Sequence, residues 1–399
     1  MAALTRTRSW ALDAVNFFMA DMQAGIGPFL GVFLLAHGWQ SGKLGTVMTL
    51  GGLAGVLMTA PAGALVDATR LKRTLVIVPG ICTILASAIV LVSQRFVLVA
   101  ASQVATAIAG AAVMPAVAGI TLGLVRQAGF NRRNGRNQAF NHAGNVVGAA
   151  LSGVLGRLFG LPAVFYLSAL FGLITVSSIL CIPADAIDHE AARGVEGPQK
   201  PGEKVGAVQI LLEDRRILVL AAALAFFHLG NAAMLPLFGV AVSAAGKGNP
   251  ASLVAMTIIV AQAVMCLVSI VAARLIEARG YWLILMISFL ALPIRGVVAA
   301  KWLTVAGVYP VQILDGIGAG LQSVAVPGLA TRLLAGTGRV NVGQGALMTA
   351  QGVGAALSPA IGGWLAQLVG WSPMFLALGA LSAVSVILWI PMARRMESK

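Results

Sequence analysis

Val147–Ser152 reads VGAALS, and the same six residues recur 206 positions later at Val353–Ser358. Shorter matches at offsets of 208 to 210 residues keep the same order along the chain. They are Pro28–Val32 with Pro236–Val240, Leu65–Ala68 with Leu275–Ala278, and Ile182–Pro183 with Ile390–Pro391. Matches that keep their order at a nearly constant offset predict a duplicated fold with two halves of similar structure.

Around this repeat, the composition is that of a membrane protein. Hydrophobic residues make up 59% of the 399 residues and charged residues only 10%, whereas a soluble domain carries roughly 25% charged residues. A helix needs about 20 apolar residues to cross the hydrocarbon of a bilayer, and twelve runs qualify. They lie at 11–36, 44–67, 74–94, 96–125, 138–159, 162–183, 216–242, 252–275, 281–299, 302–330, 343–367 and 371–393. We therefore predict an all-α membrane protein with twelve transmembrane helices in two six-helix, pseudo-symmetric bundles.

Six helices in each half give both halves the same orientation in the membrane. Such parallel repeats are related by an axis along the membrane normal, and they place a binding site near the midplane between the halves. The predicted boundaries are residues 1–183 for the N-terminal bundle, 184–215 for a polar cytoplasmic linker, and 216–399 for the C-terminal bundle. Rocking of one bundle against the other would give alternating access.

The basic residues predict how the chain is oriented. The formal net charge is +14, but the charges lie in short clusters between apolar runs rather than along one face, so we expect no nucleic-acid partner. With both termini inside, 21 of the 27 Lys and Arg residues fall on the inner side, as the positive-inside rule requires. The other six are Lys43, Arg95, Arg157, Lys247, Arg295 and Lys301. We expect a multi-pass monomer in the cell inner membrane, with the lipid bilayer around it and both termini cytoplasmic.

The loop between the second and third predicted helices reads GALVDATRLKR, from Gly63 to Arg73. It resembles the loop signature of the major facilitator superfamily, G-x-L-x-D-[RK]-x-G-[RK]-[RK]-[RK], and departs from it at Ala68, Arg70 and Leu71. The resemblance, which is to bacterial, exporter-like members, implies close helix approach at Gly63 and a cytoplasmic charge latch at Asp67. The positions assigned to this gating motif are Gly63, Asp67, Lys72, Arg73 and, in a weaker second copy, Glu277 and Arg279.

The eleventh predicted helix carries small residues from Gly345 to Gly363, with Pro359 among them. This pattern resembles the antiporter signature of the same superfamily, although the family has that signature in helix five. Small residues three or four positions apart let helices pack closely, and close packing alone is the alternative interpretation. The assigned packing positions are Gly148, Ser152, Gly354, Ser358, Pro359 and Gly362.

Several polar residues fall near the middle of predicted helices, where ionisable groups are costly and indicate function. The resemblance implies that helices one, four, seven and ten line a cavity, with two, five, eight and eleven beside them. The proton-coupling candidates are Asp315, Asp21 and His228. The substrate-cavity candidates are Asn16, Gln23, Asn141, Asn145, Asn231, Gln262, Gln351 and Arg295.

Three roles remain open for Asp315. It could exchange a proton during transport, form a static ion pair with Arg295, its nearest obvious partner, or contact the substrate. His228 could titrate near neutral pH or serve as a hydrogen-bonded structural residue.

These patterns predict a secondary active transporter that moves a small-molecule substrate by alternating access. We expect proton coupling, and export slightly more than uptake. A proton-coupled uptake permease for a small metabolite is the alternative, and an intramembrane enzyme is a remote one because no nucleophile–base or metal-ligand pattern is present. Cys82, Cys181 and Cys266 each stand alone in apolar runs, and no phosphate-binding loop occurs. We therefore expect no enzyme activity, no cofactor and no metal.

Overall fold

A computed structural model describes residues 6–24, 26–193, 214–334 and 340–393. Within these ranges the regular structure is helical and contains no strand, so the all-α prediction is confirmed. The chain divides into two compact units. The first contains Met1–His37 and Leu53–Gly202, and the second contains Gly38–Gly52 and Glu203–Lys399.

Two sets of helices follow one another along the chain. The first set is α1 (Arg6–Ala24), α2 (Ile26–Ala36), α3 (Ser41–Ala68), α4 (Thr74–Val92), α5 (Phe96–Gly110), α6 (Val113–Phe159) and α7 (Pro162–Leu180). The second is α8 (Arg215–Asn231), α9 (Met234–Ala244), α10 (Pro250–Lys301), α11 (Val308–Leu333), α12 (Val340–Val369) and α13 (Trp371–Trp389). Short 3₁₀ turns lie at Ala184–Ala186, Ala191–Arg193 and Ile390–Met392.

Among the described residues, ten segments are long and apolar enough to cross a membrane. The other two of the twelve predicted spans are 11–36, which α1 and α2 cover, and 138–159, the second part of α6. Both carry polar residues along one side, including Asn16 and Asn141. These side chains lower the mean hydropathy of segments that are still helical.

Two of the long helices contain a sharp break. Arg126 in α6 has φ 56° and ψ 178°, and Gly280 in α10 has φ 76° and ψ 166°. Positive φ is strained for a residue with a side chain and accessible to glycine. Each break falls between two predicted spans: α10 contains both 252–275 and 281–299, whereas α6 contains the end of 96–125 and all of 138–159.

The core of the first unit joins α1, α6 and α7. Leu12, Val15, Ile120 and Ile179 are fully buried in one cluster of apolar side chains. This cluster continues into the beginning of the predicted linker, where the residue Ile187 is only 3% exposed. The described part of the linker, residues 184–193, therefore packs as part of the first unit.

Asp188 holds the described part of the linker against α6, close to the break at Arg126. Its backbone N–H donates to the carbonyl of Gly123 at 3.1 Å. Its carboxylate accepts from the backbone N–H groups of Glu190 and Ala191, both at 3.1 Å, and from Arg126 Nη2 at 3.1 Å. The hydrogen bond from Ala191, followed by those from Glu190 and Arg126, lowers the pKa of Asp188 below its ordinary value.

Aromatic side chains form much of the core of the second unit. Phe289 contacts Phe227 with ring centroids 5.9 Å apart, and Trp389 with centroids 5.7 Å apart. Trp389 and Trp282 each donate an indole N–H to the other's backbone carbonyl, at 3.0 and 3.2 Å. These reciprocal hydrogen bonds tie the end of α13 to α10.

The first twelve residues of α3 belong to the second unit and pack closely on α12. A Cβ placed on Gly45 would overlap the carbonyl oxygen of Pro359. Four hydrogen bonds, each with at least one side-chain partner, also join these two segments. They are Gly42 N to Gln367 Oε1, Ala360 N to Thr49 Oγ1, Trp364 Nε1 to Thr46 Oγ1, and Gln367 Nε2 to Gln40 Oε1.

Candidate functional site

Arg295 of α10 is the centre of a polar cluster in the second unit. Its guanidinium donates through Nε to the carbonyl of Val311 at 3.1 Å and through Nη2 to Gln312 Oε1 at 3.1 Å. Nη1 donates to Asp315 Oδ1 at 2.8 Å and also to Asn231 Oδ1. The structure thus brings three predicted residues, Asp315, Asn231 and Arg295, into direct contact.

The electrostatics of this cluster depend on one ion pair. The side chain of Arg295 is 0% exposed and that of Asp315 is 10% exposed. A guanidinium stays protonated in proteins, and an isolated buried charge costs several kcal/mol. Asp315 supplies the compensating charge, while the three neutral acceptors bind three of the other four N–H groups. Neutralising Asp315 would therefore leave a buried cation without its counter-charge.

A cavity of about 310 Å³ lies in the same unit, between α8, α11 and α12. That volume is at the small end of the range for small-molecule sites. It is lined by His228, Ala319, Gln322, Ser323, Val326, Pro327, Gln344, Leu347, Met348 and Gln351. His228 and Gln351 are predicted site residues, and His228 interacts electrostatically with Asp315. His228 therefore connects the cavity with the ion pair.

A line of hydrogen bonds supports the buried side of this cavity. Ser288 Oγ donates to the carbonyl of Gly318 at 2.8 Å, and Gln322 Nε2 donates to Ser288 Oγ at 3.0 Å. The side chains of His228 and Gln322 both line the cavity. Ser288 and Gln322 are both nearly inaccessible, at 0% and 5% exposure.

Sequence reasoning missed Gln312, Gln322 and Ser288, although a signal for two of them exists. Gln312, Asp315 and Gln322 lie three and seven residues apart on α11, which places them on one helix face. The spacing from Asp315 could therefore have identified both glutamines. Ser288 lies on α10, and its role follows only from how closely α10 packs against α11.

Polar residues of the first unit form a separate cluster at α1 and α6. Asp13 accepts from Arg133 Nη2 at 2.7 Å and from Arg136 Nη2 at 2.6 Å. Arg133 also donates to Asn137 Oδ1, and Asn137 Nδ2 donates to Thr121 Oγ1. Burial lowers the pKa of Arg133, and the charge of Asp13 opposes that shift. A buried ion pair, with Asp13 4% exposed, thus joins α1 to α6.

The predicted amide residues of this unit lie beside that cluster. Asn16 is 3% exposed, and its Nδ2 donates to the carbonyl of Leu12 in its own helix at 2.8 Å. Asn141 Nδ2 donates to the carbonyl of Asn16 at 3.4 Å, and Asn145 Nδ2 donates to Asn141 Oδ1 at 3.4 Å. These hydrogen bonds link the backbone of α1 at Asn16 to two amide side chains of α6.

Asp21, Gln23 and Gln262 are the remaining predicted site residues. The side chains of Asp21 and Gln23 lie outside the described residues. Gln262 of α10 has a buried Oε1 atom for which the described part of the chain provides no hydrogen-bond donor. No group of three or more His, Cys, Asp or Glu side chains suited to a metal ion occurs among the residues that the structure describes.

The profile of the Major Facilitator Superfamily matches residues 12–342. The chain belongs to this superfamily. Two similar relatives are uncharacterized MFS-type transporters from Mycobacterium tuberculosis, strains CDC 1551 and H37Rv. Each is 37% identical over 382 residues, which cover 95% of this chain and 91% of the relative.

Solved structures share the fold at low sequence identity. A mutant form of the nucleoside transporter NupG has a TM-score of 0.82 and 13% identity, covering 97% of this chain and all of that one. A bacterial homolog of the human lysosomal transporter Spinster, in an inward-facing and unoccupied conformation, has a TM-score of 0.73 and 15% identity over 99% of this chain and 98% of that one. The chain therefore has the twelve-helix architecture of the major facilitator superfamily and is a multi-pass transporter of a small solute.

The major facilitator loop motif occupies the end of α3 and the turn before α4. Lys72 is fully buried and donates through Nζ to the carbonyls of Val66 at 2.6 Å and Thr69 at 3.2 Å. Arg73 Nη2 donates to the carbonyl of Leu180 at 3.3 Å. The side chain of Asp67 lies outside the described residues, and a Cβ on Gly63 would meet no described atom within 4 Å. In the second copy, Glu277 and Arg279 are exposed.

The small residues of α12 are in close contact with other helices. A Cβ on Gly354 would overlap the carbonyl oxygen of Ala225, and a Cβ on Gly362 would lie 2.9 Å from Leu237 Cδ1. Ser358 is fully buried, and its Oγ accepts from the backbone N–H of Ala233 at 2.9 Å. Pro359, the remaining packing position of this helix, contributes its carbonyl to the α3 contact.

The first unit has a similar close crossing at a neighbouring turn. A Cβ on Gly144 of α6 would overlap the carbonyl oxygen of Phe17 in α1. Gly148 and Ser152, the predicted packing positions, lie one and two turns further along and are buried. Ser152 Oγ has no hydrogen-bond partner among the described residues. The glycine of closest approach is therefore Gly144, which the VGAALS repeat does not include.

Proposed function

We propose that this chain is a proton-coupled secondary active transporter in which Asp315 is the carboxylate that exchanges the proton. The observation that carries the proposal is the ion pair between Asp315 and the fully buried Arg295, beside His228 and the cavity. Protonation would change the charge of this pair from zero to +1 within the membrane-spanning region, where an uncompensated charge is costly. The two protonation states would then favour different arrangements of the surrounding helices, as coupling requires.

The rival role for Asp315 is a static ion pair that only fixes helix packing. It predicts that Asp315→Asn destabilises the protein without changing how transport responds to pH. The coupling role predicts that Asp315→Asn abolishes the response to a pH gradient while solute still exchanges across the membrane. Substrate contact, the third role, predicts loss of exchange as well.

The test uses proteoliposomes and a panel of radiolabelled neutral and charged metabolites, screened for flux under an imposed pH gradient. For the solute with the largest gradient-dependent flux, we expect Asp315→Asn to lose gradient-driven accumulation and to retain counterflow with no gradient. Asp214→Asn is the matched control, because Asp214 also pairs with an arginine, Arg216, at 2.9 Å, and asparagine is an equally good helix N-cap. Gradient-driven accumulation in Asp315→Asn at the wild-type rate would refute the coupling role.

We further propose export as the direction, by antiport against entering protons. The pattern from Gly345 to Gly363, which resembles the antiporter signature, supports export over uptake. We place the chain in the cell inner membrane with both termini cytoplasmic. This orientation puts 21 of the 27 basic residues on the inner side, which the positive-inside rule favours. Everted vesicles energised to acidify their interior should accumulate the solute. Accumulation only in right-side-out vesicles with an acidic exterior would make the chain an uptake permease.

A further inference from the structure

Arg295 is hydrogen-bonded to two helices besides its own. Its Nε and Nη2 atoms donate to the carbonyl of Val311 and to the amide oxygen of Gln312, both on α11. Its Nη1 atom donates to Asp315 of α11 and to Asn231, which is the last residue of α8. Asn231 therefore joins the guanidinium to α8.

The seventh predicted span is interrupted directly after Asn231. Ala232 and Ala233 separate α8 from α9, and both keep dihedrals of the right-handed helical region. Pro236 has no N–H, and its ring crowds the carbonyl four residues earlier, that of Ala232, so regular helical bonding cannot continue through this point. The N–H of Ala233 donates to Ser358 Oγ of α12 at 2.9 Å. We call Ala232 and Ala233 the α8–α9 junction.

The α8–α9 junction connects the polar cluster with the cavity. A helix bends where its ladder of hydrogen bonds is interrupted, so the junction is the point at which the seventh span can change its angle. His228 lies three residues before Asn231, which places both on one face of α8, and His228 lines the cavity. A change in how firmly Asn231 is held therefore acts on the segment that carries His228 into the cavity wall.

Asn231 and Asp315 share one nitrogen of the guanidinium, Nη1. When Asp315 takes up a proton, the new O–H bond removes the charge of the carboxylate, and the cation at Arg295 remains. The carboxylate then no longer offsets the positive charge that Asn231 Oδ1 meets. Because hydrogen bonds from a charged donor are stronger than neutral ones, protonation of Asp315 strengthens the bond between Arg295 and Asn231.

We propose that Asn231 is a positioning residue that carries the protonation state of Asp315 to the α8–α9 junction, because Arg295 holds the end of α8 more tightly when Asp315 is protonated than when it is ionised. This inference rests on the proposed function, since it takes Asp315 as the group that exchanges the proton, and it names the helix that responds. Among the described residues, the charged and titratable groups that face Asp315 are Arg295 of α10 and His228 of α8.

The test is hydrogen–deuterium exchange of the full chain in lipid nanodiscs at neutral and acidic pH, with no solute and no gradient. Rates are expressed as protection factors, which correct for the slower intrinsic exchange in acid. In the wild type, the protection factors of the Ala232 and Ala233 amides should rise by about fivefold in acid. Asp315→Asn should remove this rise and His228→Gln should keep it. A fall or no change in the wild type, or loss of the rise in His228→Gln alone, would overturn the proposal.

Two leucine variants separate this role from a structural one. Asn231→Leu removes the acceptor at similar size and should abolish the rise in acid. Gln312→Leu is the matched control, because it also removes an amide acceptor of Arg295, but from Nη2 and on α11, so the rise should persist. A purely structural role of Asn231 predicts that Asn231→Leu lowers protection equally at both pH values and leaves the rise in place, and that result would refute the proposal.

Exchanging the two acceptors of Nη1 gives a second test, which also serves if Asn231→Leu does not fold. The double variant Asn231→Asp/Asp315→Asn moves the carboxylate from α11 to α8 and keeps one counter-charge for Arg295. Acid should now weaken the hold on the end of α8, so protection at the junction should fall by about fivefold, opposite to the wild type. A rise in acid, or no dependence on pH, would contradict the proposal.

Exchange measured without a gradient separates this inference from proton coupling. If the junction responds as expected while Asp315→Asn keeps its gradient-driven accumulation of solute, the coupling role is wrong and the role of Asn231 stands. If Asp315→Asn loses that accumulation while Asn231→Leu keeps the rise in protection, the role of Asn231 is wrong and coupling stands.

Discussion

At the scale of single residues, Arg295 carries the strongest energetic prediction. Removing one partner of a buried ion pair leaves an uncompensated charge and costs about 3–5 kcal/mol, whereas removing both costs much less. Asp315→Asn should therefore destabilise the protein strongly, and adding Arg295→Gln should recover much of the loss. Thermal unfolding followed by tryptophan fluorescence measures the cycle of the two single variants and the double variant. Additive losses in that cycle would mean that the pair is not energetically coupled.

The same scale shows what could be predicted from sequence about the candidate site. Asp315, Arg295 and Asn231 were identified because charged and amide groups inside apolar runs are costly, and the structure brings them into contact. The hydrogen bond from Ser288 to the carbonyl of Gly318 could not be predicted. It depends on Ser288 lying within reach of the Gly318 carbonyl, and such a distance between two helices is not encoded in the spacing of either one.

At the scale of helices, the close crossings at glycine give a matched set of variants. A Cβ on Gly144 or Gly354 would overlap a backbone oxygen of α1 or α8, so Gly144→Ala and Gly354→Ala should each destabilise by about 1–3 kcal/mol. Gly63→Ala and Gly345→Ala are the controls, since a Cβ there meets no described atom within 4 Å. Thermal unfolding compares the four variants. Equal changes in all four would mean that the crossings do not govern these positions, and a gain of about 1 kcal/mol in each would show that the higher helix propensity of alanine does.

The turn around Asp188 gives a prediction with a pH dependence. Because its pKa is lowered in the folded chain, the ionised carboxylate contributes stability at pH values above about 4, the ordinary value for aspartate. That contribution is lost as the pH falls through the lowered pKa. The protection factor of the amide of Ala191, which corrects for the slower intrinsic exchange in acid, should therefore fall in acid and in Asp188→Ala at neutral pH. Asp185→Asn, in the same turn, is the control and should exchange like the wild type at neutral pH.

The positions of the helices show how much of the fold hydropathy alone can predict. Ten segments of the described chain satisfy a simple criterion of length and hydropathy, and all ten correspond to predicted spans. The remaining two, at 11–36 and 138–159, were predicted from longer runs that tolerate polar residues. Their acid and amides are used in contacts such as Asp13 with Arg133, which lets a less apolar helix remain buried.

At the scale of the whole molecule, the repeat and the loop motif were sufficient to predict the fold class and the superfamily. They could not predict that the first part of α3 groups with the second unit. That grouping depends on glycines whose missing side chains admit another helix, as at Gly45 and Pro359. The sequence contains 47 glycines. Their spacing does not indicate which of them lie in contact with another helix.

The α3 contact leads to a prediction about how it opens. Leucine at Gly45 cannot fit against the Pro359 carbonyl, which even a Cβ would overlap, so Gly45→Leu should separate the beginning of α3 from α12. Ser41→Cys, at a position that is 8% exposed and takes no part in the four hydrogen bonds, reports the separation through its reaction with a membrane-impermeant maleimide, once Cys82, Cys181 and Cys266 are replaced by serine. Labelling should be faster in Gly45→Leu and unchanged in Gly63→Leu on the same helix. Unchanged labelling in Gly45→Leu would mean that the contact adapts without opening.

The chemistry of that contact has a consequence for the conditions under which the transporter works. Its four hydrogen bonds join amides, hydroxyls, an indole and backbone N–H groups, with no charged partner among them. Dissolved ions screen the attraction between charges. Because none of these hydrogen bonds has a charged partner, screening should weaken them little. Raising the ionic strength should leave the maleimide reaction of the cysteine at position 41 unchanged, so the closure of α3 on α12 holds equally well in dilute and saline surroundings.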